Sequence, residues 1–418
     1  MVRISTLNSN PRKERRDIII SLSLALYVFS NYWIRIPRLM LLGSLVLYLF
    51  LGITIFKLIT NQTPIKFTLY SAGYLAFGLL GMFSSLYALD RGYVSEDLYL
   101  LLVSWTLTFS YIQYVHNSSG FFRIFAFYAY FPILLLLYLV ASGTLQNPGQ
   151  RLGDYEFGNA NNLAIVMMVT LCCIFWFLIY GKKKWLLPNI ALAIAFLYVV
   201  SLTGGRKYLI LPFIFLFLIL LFKYWRENKS KLIIYITLFT LLVLLGVWAL
   251  IEIPILYSQV GYRFEGLLNF AKGDIYEADS STLIRAFMIE NGWRWFLWRP
   301  IQGYGLNNYG VLIADIMGSH VYAHNNFVEL MVDLGLMGLI VYYTIYCFII
   351  VKLINIKDDG TGIRNFFLAY MLCLFIFEVG AVTYQLYIIQ IFIGLASAYI
   401  WLYEKNRRAF VYEQIPSQ

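Results

Sequence analysis

HNNFVELMVDLGLMGLIVYY, residues 324–343, sets a His-Asn pair at the mouth of an apolar helix. Only Glu329 and Asp333 interrupt the apolar run, which continues to about residue 351. At 1.5 Å of rise per residue such a run is long enough to cross a ~30 Å hydrocarbon layer. Little else in a chain this greasy offers chemistry, so the His end of this stretch is where function is to be sought.

Working outward, comparable runs recur along the chain. We read spans at approximately residues 18–34, 39–56, 67–89, 98–115, 124–141, 160–180, 186–203, 208–222, 232–251, 326–351, 365–383 and 384–403. The expectation is an all-α polytopic membrane protein of about twelve transmembrane helices. With 61% hydrophobic and 13% charged residues and a mean hydropathy of +0.71, a soluble domain of this size is excluded. The runs are too long and too uniformly apolar for barrel strands. The first run follows a basic segment (Arg12, Lys13, Arg15, Arg16) and has no small-x-small cleavage site after it, so it reads as an uncleaved span. The eighth is short, and a short span needs bilayer thinning or a companion helix.

The expected organisation is transmembrane helices 1–9 over residues 1–251, a large extracytoplasmic loop with short helices over 252–323, helices 10–12 over 324–403, and a tail over 404–418. With the N-terminus inside, 21 of the 32 Lys and Arg residues fall in cytoplasmic segments, including Lys182–Lys184, Lys223, Arg226, Lys229 and Lys231. The net charge of +10 is therefore a topology signal; nucleic acid drops out as a partner. Arg35 and Arg38, between the first two spans, are the exceptions: they either snorkel or mark a miscounted hairpin. The four cysteines all lie in spans without metal-ligand spacing and read as packing residues.

In the polar loop, Ser280 and Ser281 are candidate caps of a helix that Asn291-Gly292 can end. The following Trp293-Arg294-Trp295-Phe296-Leu297-Trp298-Arg299 suits a headgroup layer. GYGLNNYG, residues 303–310, reads as a turn. Gly335 and Gly338 read as a small-residue helix interface.

The candidate site residues each carry two readings. Arg206, in SLTGGRKYL, is either a snorkelling flank residue like its neighbour Lys207 or an anion ligand, with Gly204 and Gly205 admitting close approach and the guanidinium gripping two phosphate oxygens. Arg285, on the loop helix, is either a surface ion-pair partner or a second such ligand; two arginines at one membrane face suit a diphosphate. His324 is either a satisfied interfacial histidine or a base able to take a hydroxyl proton near neutral pH. His320, four residues earlier, would pair with it on a helix, but no third metal ligand is evident, and neither metal nor cofactor is expected. Glu329, Asp333 and Glu378 are carboxylates inside spans, costly unless paired or wet; they either hold Arg206 or Arg285 in place or take part directly.

These residues together resemble a known family. His324-Asn325, nine residues, then Gly335-Leu336-Met337-Gly338 is similar to the His-Asn/Ser/Gln-x9-Gly-x-x-Gly signature of the O-antigen ligase and O-antigen polymerase superfamily. Arg206, Arg285 and Pro300-Ile301-Gln302-Gly303-Tyr304-Gly305 follow in that family's order. The resemblance implies an inverting, metal-independent glycosyltransferase of the bacterial cytoplasmic membrane, with both termini cytoplasmic and the active site on the extracytoplasmic face. Its donor is a saccharide on undecaprenyl diphosphate. Arg206 and Arg285 would bind the diphosphate, His324 would accept the acceptor's proton, and Asn325 would orient it or the sugar. The first reading is a polymerase building O-antigen, capsule or exopolysaccharide, with a chain-length regulator and a flippase of the same pathway as partners. The second is an O-antigen ligase or protein O-oligosaccharyltransferase. From another class come a lipid-linked sugar flippase and, blandest, a scaffold.

Overall fold

A computed structural model describes residues 65–146, 151–154, 159–225, 228–274 and 279–413, with residues 52, 55 and 56. The spans expected at 18–34 and 39–56 fall almost wholly outside the described residues. Among the described residues there are helices and turns and no strand.

The helices are α1 (Leu69–Ser84), α2 (Arg91–Tyr114), α3 (Ser118–Tyr130), α4 (Ile133–Ala141), α5 (Ala160–Tyr180), α6 (Leu186–Leu202), α7 (Arg206–Tyr224), α8 (Lys229–Glu252), α9 (Tyr262–Ala271), α10 (Ser280–Trp298), α11 (Tyr309–Met317), α12 (Asn326–Asn355), α13 (Ile363–Glu378) and α14 (Tyr387–Glu413). Their starts are written locally. Thr68, Asp90, Asn117, Asn159, Asn228 and Asn325 each accept a backbone N–H of the first turn through a side-chain oxygen, satisfying donors that have no partner inside the helix.

Every span read between residues 67 and 403 corresponds to a helix, but twelve crossings are not established. Among the described residues seven segments are long and apolar enough to cross a membrane: Ser118–Ala141, Ala160–Tyr180, Lys183–Leu202, Arg206–Tyr224, Lys229–Glu252, Asn326–Asn355 and Tyr387–Arg407. α7 extends the short eighth span to 19 residues. The span expected at 365–383 ends at Glu378, because the segment around Gly380 and Thr383 turns back toward α14.

α12 sits between α1, α10, α13 and α14; α14 lies along α2, and α5 packs on α3, α6 and α7. α8 packs beside α7 and leaves an apolar surface exposed nearly all round, as a lipid-facing helix does. The core is rich in tyrosine, and several of its hydroxyls are paired: Tyr384 donates to the buried Asp97 at 2.7 Å, Tyr70 to Gln390 at 3.2 Å, and Tyr342 and Tyr346 lie 2.9 Å apart. Such pairing offsets the cost of burying a hydroxyl away from water, whereas the buried hydroxyls of Tyr370 and Tyr399 have no hydrogen-bond partner among the described residues.

One break positions the site. Gly335 has φ +62° and ψ −159°, which interrupts α12 in a conformation that only glycine adopts readily. The part after it, residues 336–355, is about 30 Å long at 1.5 Å per residue, a membrane thickness. The part before it, residues 326–334, forms a short arm. The backbone groups freed by the break are satisfied by the PIQGYG loop: Tyr304 N–H donates to Val332 O at 2.9 Å, Gly305 N–H to Asp333 O at 2.8 Å and Leu336 N–H to Pro300 O at 2.8 Å. A Cβ on Gly335 would stand 2.2 Å from Ile301 O. The glycine therefore serves a loop-docked break, correcting its reading as a helix–helix interface.

Candidate active site

Asp333, two residues before the break, is fully buried and receives Asn307 N–H at 2.8 Å and Tyr309 N–H at 2.7 Å. It thus gathers the GYGLNNYG turn around its carboxylate. Glu329, also buried, accepts from Ala323 N–H at 2.5 Å and so fixes the segment that delivers His324. Glu378 receives Tyr343 at 2.8 Å, Tyr346 at 2.6 Å and the Thr383 hydroxyl. None of these three carboxylates pairs with Arg206 or Arg285, against one of the two roles expected of them. Asp333 and Glu329 brace backbone N–H groups around the site, and Glu378 gathers tyrosine and threonine hydroxyls.

The residue that holds Arg206 is Asp279, which the sequence reading missed. Its Oδ1 lies 3.1 Å from Nη1 and its Oδ2 3.4 Å from Nη2, and Thr282 accepts from Nη2 at 3.2 Å. Asp279, not Ser280 or Ser281, stands at the N-cap of α10, and its carboxylate serves the arginine rather than the helix end. Burial works to raise its pKa, but the Thr282 hydroxyl and the Arg206 guanidinium prevail and hold it below the ordinary carboxylate value. Arg206 also donates to Arg263 O, tying α7 to α9. Gly204, with φ +69°, closes α6 and offers its carbonyl to Arg263 at 3.2 Å. It turns the chain between α6 and α7.

Arg285 lies on α10, half-buried, with no hydrogen-bond or ion-pair partner among the described residues. Burial first, and the charge of Arg206 second, lower its pKa from the arginine value. α10 does not end at Asn291-Gly292 but runs on to Trp298, because Gly292 lets it press against Val328 and Tyr309. Trp295 and Phe296 are buried, while Trp293 and Trp298 are exposed, so only part of the aromatic segment faces outward.

His324 has φ +55°, a left-handed conformation that a histidine adopts only at a cost and that clusters at functional sites. Its ring lies 4.1 Å from that of Tyr322, centroid to centroid. Burial, then the charges of Arg285 and Lys207, push its pKa down to about 3, so the imidazole is neutral at physiological pH. Asn325 Oδ1 caps α12, accepting from Phe327 and Val328 N–H at 3.0 and 3.1 Å. Its position in the signature is thereby accounted for locally. His320 does not pair with His324 on a helix, since residues 320–325 are non-helical; it stacks on Tyr93 at 4.0 Å.

The structure thus brings Arg206, Arg285 and His324 into one electrostatic neighbourhood, and adds residues that the sequence reading left aside. Lys207 donates to Gly380 O and sits over the rings of Tyr208 and Phe377, 5.0 Å from each centroid; it joins α7 to the turn after α13. Arg151 donates through Nε to Thr203 O at 2.9 Å and acts electrostatically on Tyr322. Nothing in the local sequence around Arg151 or Asp279 marks them, because their partners lie 52 and 73 residues away. Among the described residues no group of three or more His, Cys, Asp or Glu has the arrangement of a metal site.

The site is a cluster of cations, Arg285 among them without an ion-pair partner among the described residues, beside a neutral imidazole at the start of a long apolar helix. Residues 191–343 match the family model described as O-antigen ligase. That stretch runs from α6 into α12 and takes in Arg206, Asp279, Arg285 and His324. The resemblance to the O-antigen polymerase and ligase superfamily is borne out, and a multi-pass, glycosyltransferase-like membrane enzyme is the coarse assignment. No curated protein matches the chain.

Proposed function

We propose that this protein transfers a saccharide from a polyprenyl diphosphate, undecaprenyl diphosphate in a bacterial membrane, to the hydroxyl of a second lipid-linked repeat unit, and so polymerises O-antigen, capsule or exopolysaccharide on the extracytoplasmic face. The observation that carries this reading is Arg285, a half-buried guanidinium with no ion-pair partner among the described residues, beside the paired Arg206. A buried unpaired cation is costly, and an anionic ligand removes the cost. A diphosphate fits because it presents several oxygens to convergent guanidiniums.

The acceptor oxygen attacks the anomeric carbon while the bond from that carbon to the phosphate oxygen breaks, inverting the centre. The bonding pair leaves with the diphosphate, whose growing charge Arg285 and Arg206 stabilise. The acceptor's proton goes to His324. In the free protein this imidazole is a weak base, held down by burial and by Arg285 and Lys207; a bound diphosphate offsets the two charges and makes it more basic when the donor is present. Two guanidiniums supply the positive charge that a metal would otherwise bring.

The test is purified protein in liposomes, without added metal, given a defined undecaprenyl-diphosphate repeat unit and compared with His324→Ala. A ladder of lipid-linked glycans that the variant loses supports a polymerase. Transfer only to a supplied lipid core or protein moves the assignment to ligase. Neither product from wild type overturns the proposal.

A further inference from the structure

We infer that the end of the bundle opposite His324 holds a specific site for an anionic glycerophospholipid. α5 and α6 are antiparallel: the Arg151-Leu152 segment before α5 bonds to Leu202 and Thr203 at the end of α6, beside Arg206. Their other ends, Tyr180 and Leu186, lie about 30 Å away by helix length, at the opposite membrane face. A cavity of about 640 Å³ opens there, with Phe122, Trp176 and Tyr180 in its walls and Lys182, Lys184 and Asn189 around it. That volume lies within the range of small-molecule sites.

The walls present apolar ring surface because their polar edges are used elsewhere. Trp176 Nε1 donates to Gly362 O at 3.1 Å, and Tyr180 Oη accepts from Asn365 at 2.9 Å. Asn189 is 1% exposed. Its Oδ1 accepts from Tyr130 at 3.0 Å, while its Nδ2 has no hydrogen bond among the described residues and is free to donate. Lys182 and Lys184 are exposed and have no ion-pair partner among the described residues. Beside them Leu186, Leu187, Ile190 and Ile194 are exposed and apolar, a surface along which an acyl chain can lie.

One occupant satisfies all of these at once. The lipid phosphate lies between the two ammonium groups, the glycerol ester accepts from Asn189, and the upper part of one chain rests on the aromatic walls. A zwitterionic lipid leaves the lysine charge uncompensated. This site is independent of the transfer chemistry proposed at the other face.

The experiment is native mass spectrometry of the full-length protein released from nanodiscs of equal parts phosphatidylglycerol and phosphatidylcholine. Wild type should retain phosphatidylglycerol in preference. Lys182→Ala/Lys184→Ala should lower that retention roughly tenfold or more, given the attraction of each basic residue to anionic lipid, and Asn189→Leu should lower it several-fold. Because both lysines are exposed, the double variant should unfold at the wild-type temperature in lipid-free detergent. Equal retention of the two lipids by wild type, or undiminished preference in the double variant, overturns the proposal.

Discussion

Arg206 and Asp279 form a two-point ion pair, Nη1 to Oδ1 at 3.1 Å and Nη2 to Oδ2 at 3.4 Å, whereas Arg285, on the helix that Asp279 begins, has no counter-ion among the described residues. The two arginines are therefore not equivalent. One is braced by the fold, and the other carries a charge that no described residue pairs with, which is the basis of its proposed role toward the diphosphate.

Arg285→Ala should abolish transfer, by about a hundredfold or more as for other donors aimed at developing charge, and leave the unfolding temperature unchanged or raised. Arg206→Ala should lower both activity and unfolding temperature, because it strands the Asp279 carboxylate. Asp279→Asn should reduce transfer less than either. Unfolding curves and product ladders from the three variants check the order; equal loss of stability in both arginine variants would contradict the distinction.

His324 gives a pH prediction. A base with a pKa of about 3 in the free protein is unprotonated far into acid, so kcat/KM should show no histidine-like inflection near 6.5 and hold from about pH 8 to about pH 5. Lys207→Met removes one of the charges lowering the imidazole pKa and should move the acid limb upward. For stability the sign is fixed by linkage. The folded pKa is below the ordinary histidine value of 6.5, so the neutral ring's contribution is complete above that value and is lost as pH falls toward 3. Below pH 6.5, His324→Gln should therefore lose stability less steeply than wild type.

Gly335→Ala places a Cβ 2.2 Å from Ile301 O at φ +62°. The backbone conformation alone costs roughly 1–3 kcal/mol, and the clash displaces the PIQGYG loop. We expect a lower unfolding temperature and little transfer, whereas Gly246→Ala, with nothing within 4 Å of its Cβ, should be neutral or slightly stabilising. Thermal scans of the two variants side by side give the comparison.

Transfer should survive exhaustive chelation, since Arg206 and Arg285 neutralise the leaving group in the proposed mechanism. Loss of the ladder in chelator, restored by one divalent cation, would reassign that charge to a metal.

The sequence by itself determined that the chain is a helical membrane protein, because apolar runs of membrane length allow few alternatives. It also marked His324, Arg206 and Arg285, whose residue types and order form a motif with a chemical meaning. Helix starts have local causes, since Asn159 or Asn325 acts on the N–H groups two or three residues along, but the one cap read from the sequence, at Ser280 or Ser281, missed Asp279. What only the tertiary structure decided was pairing. Asp279 meets Arg206 across 73 residues, and Glu378 meets Tyr343 across 35; a linear pattern does not say which charge a buried carboxylate will face. The role of Gly335 was hidden for the same reason: its φ is set by the loop docked against it. Side-chain chemistry is local and can be read along the chain, but partners are chosen by packing.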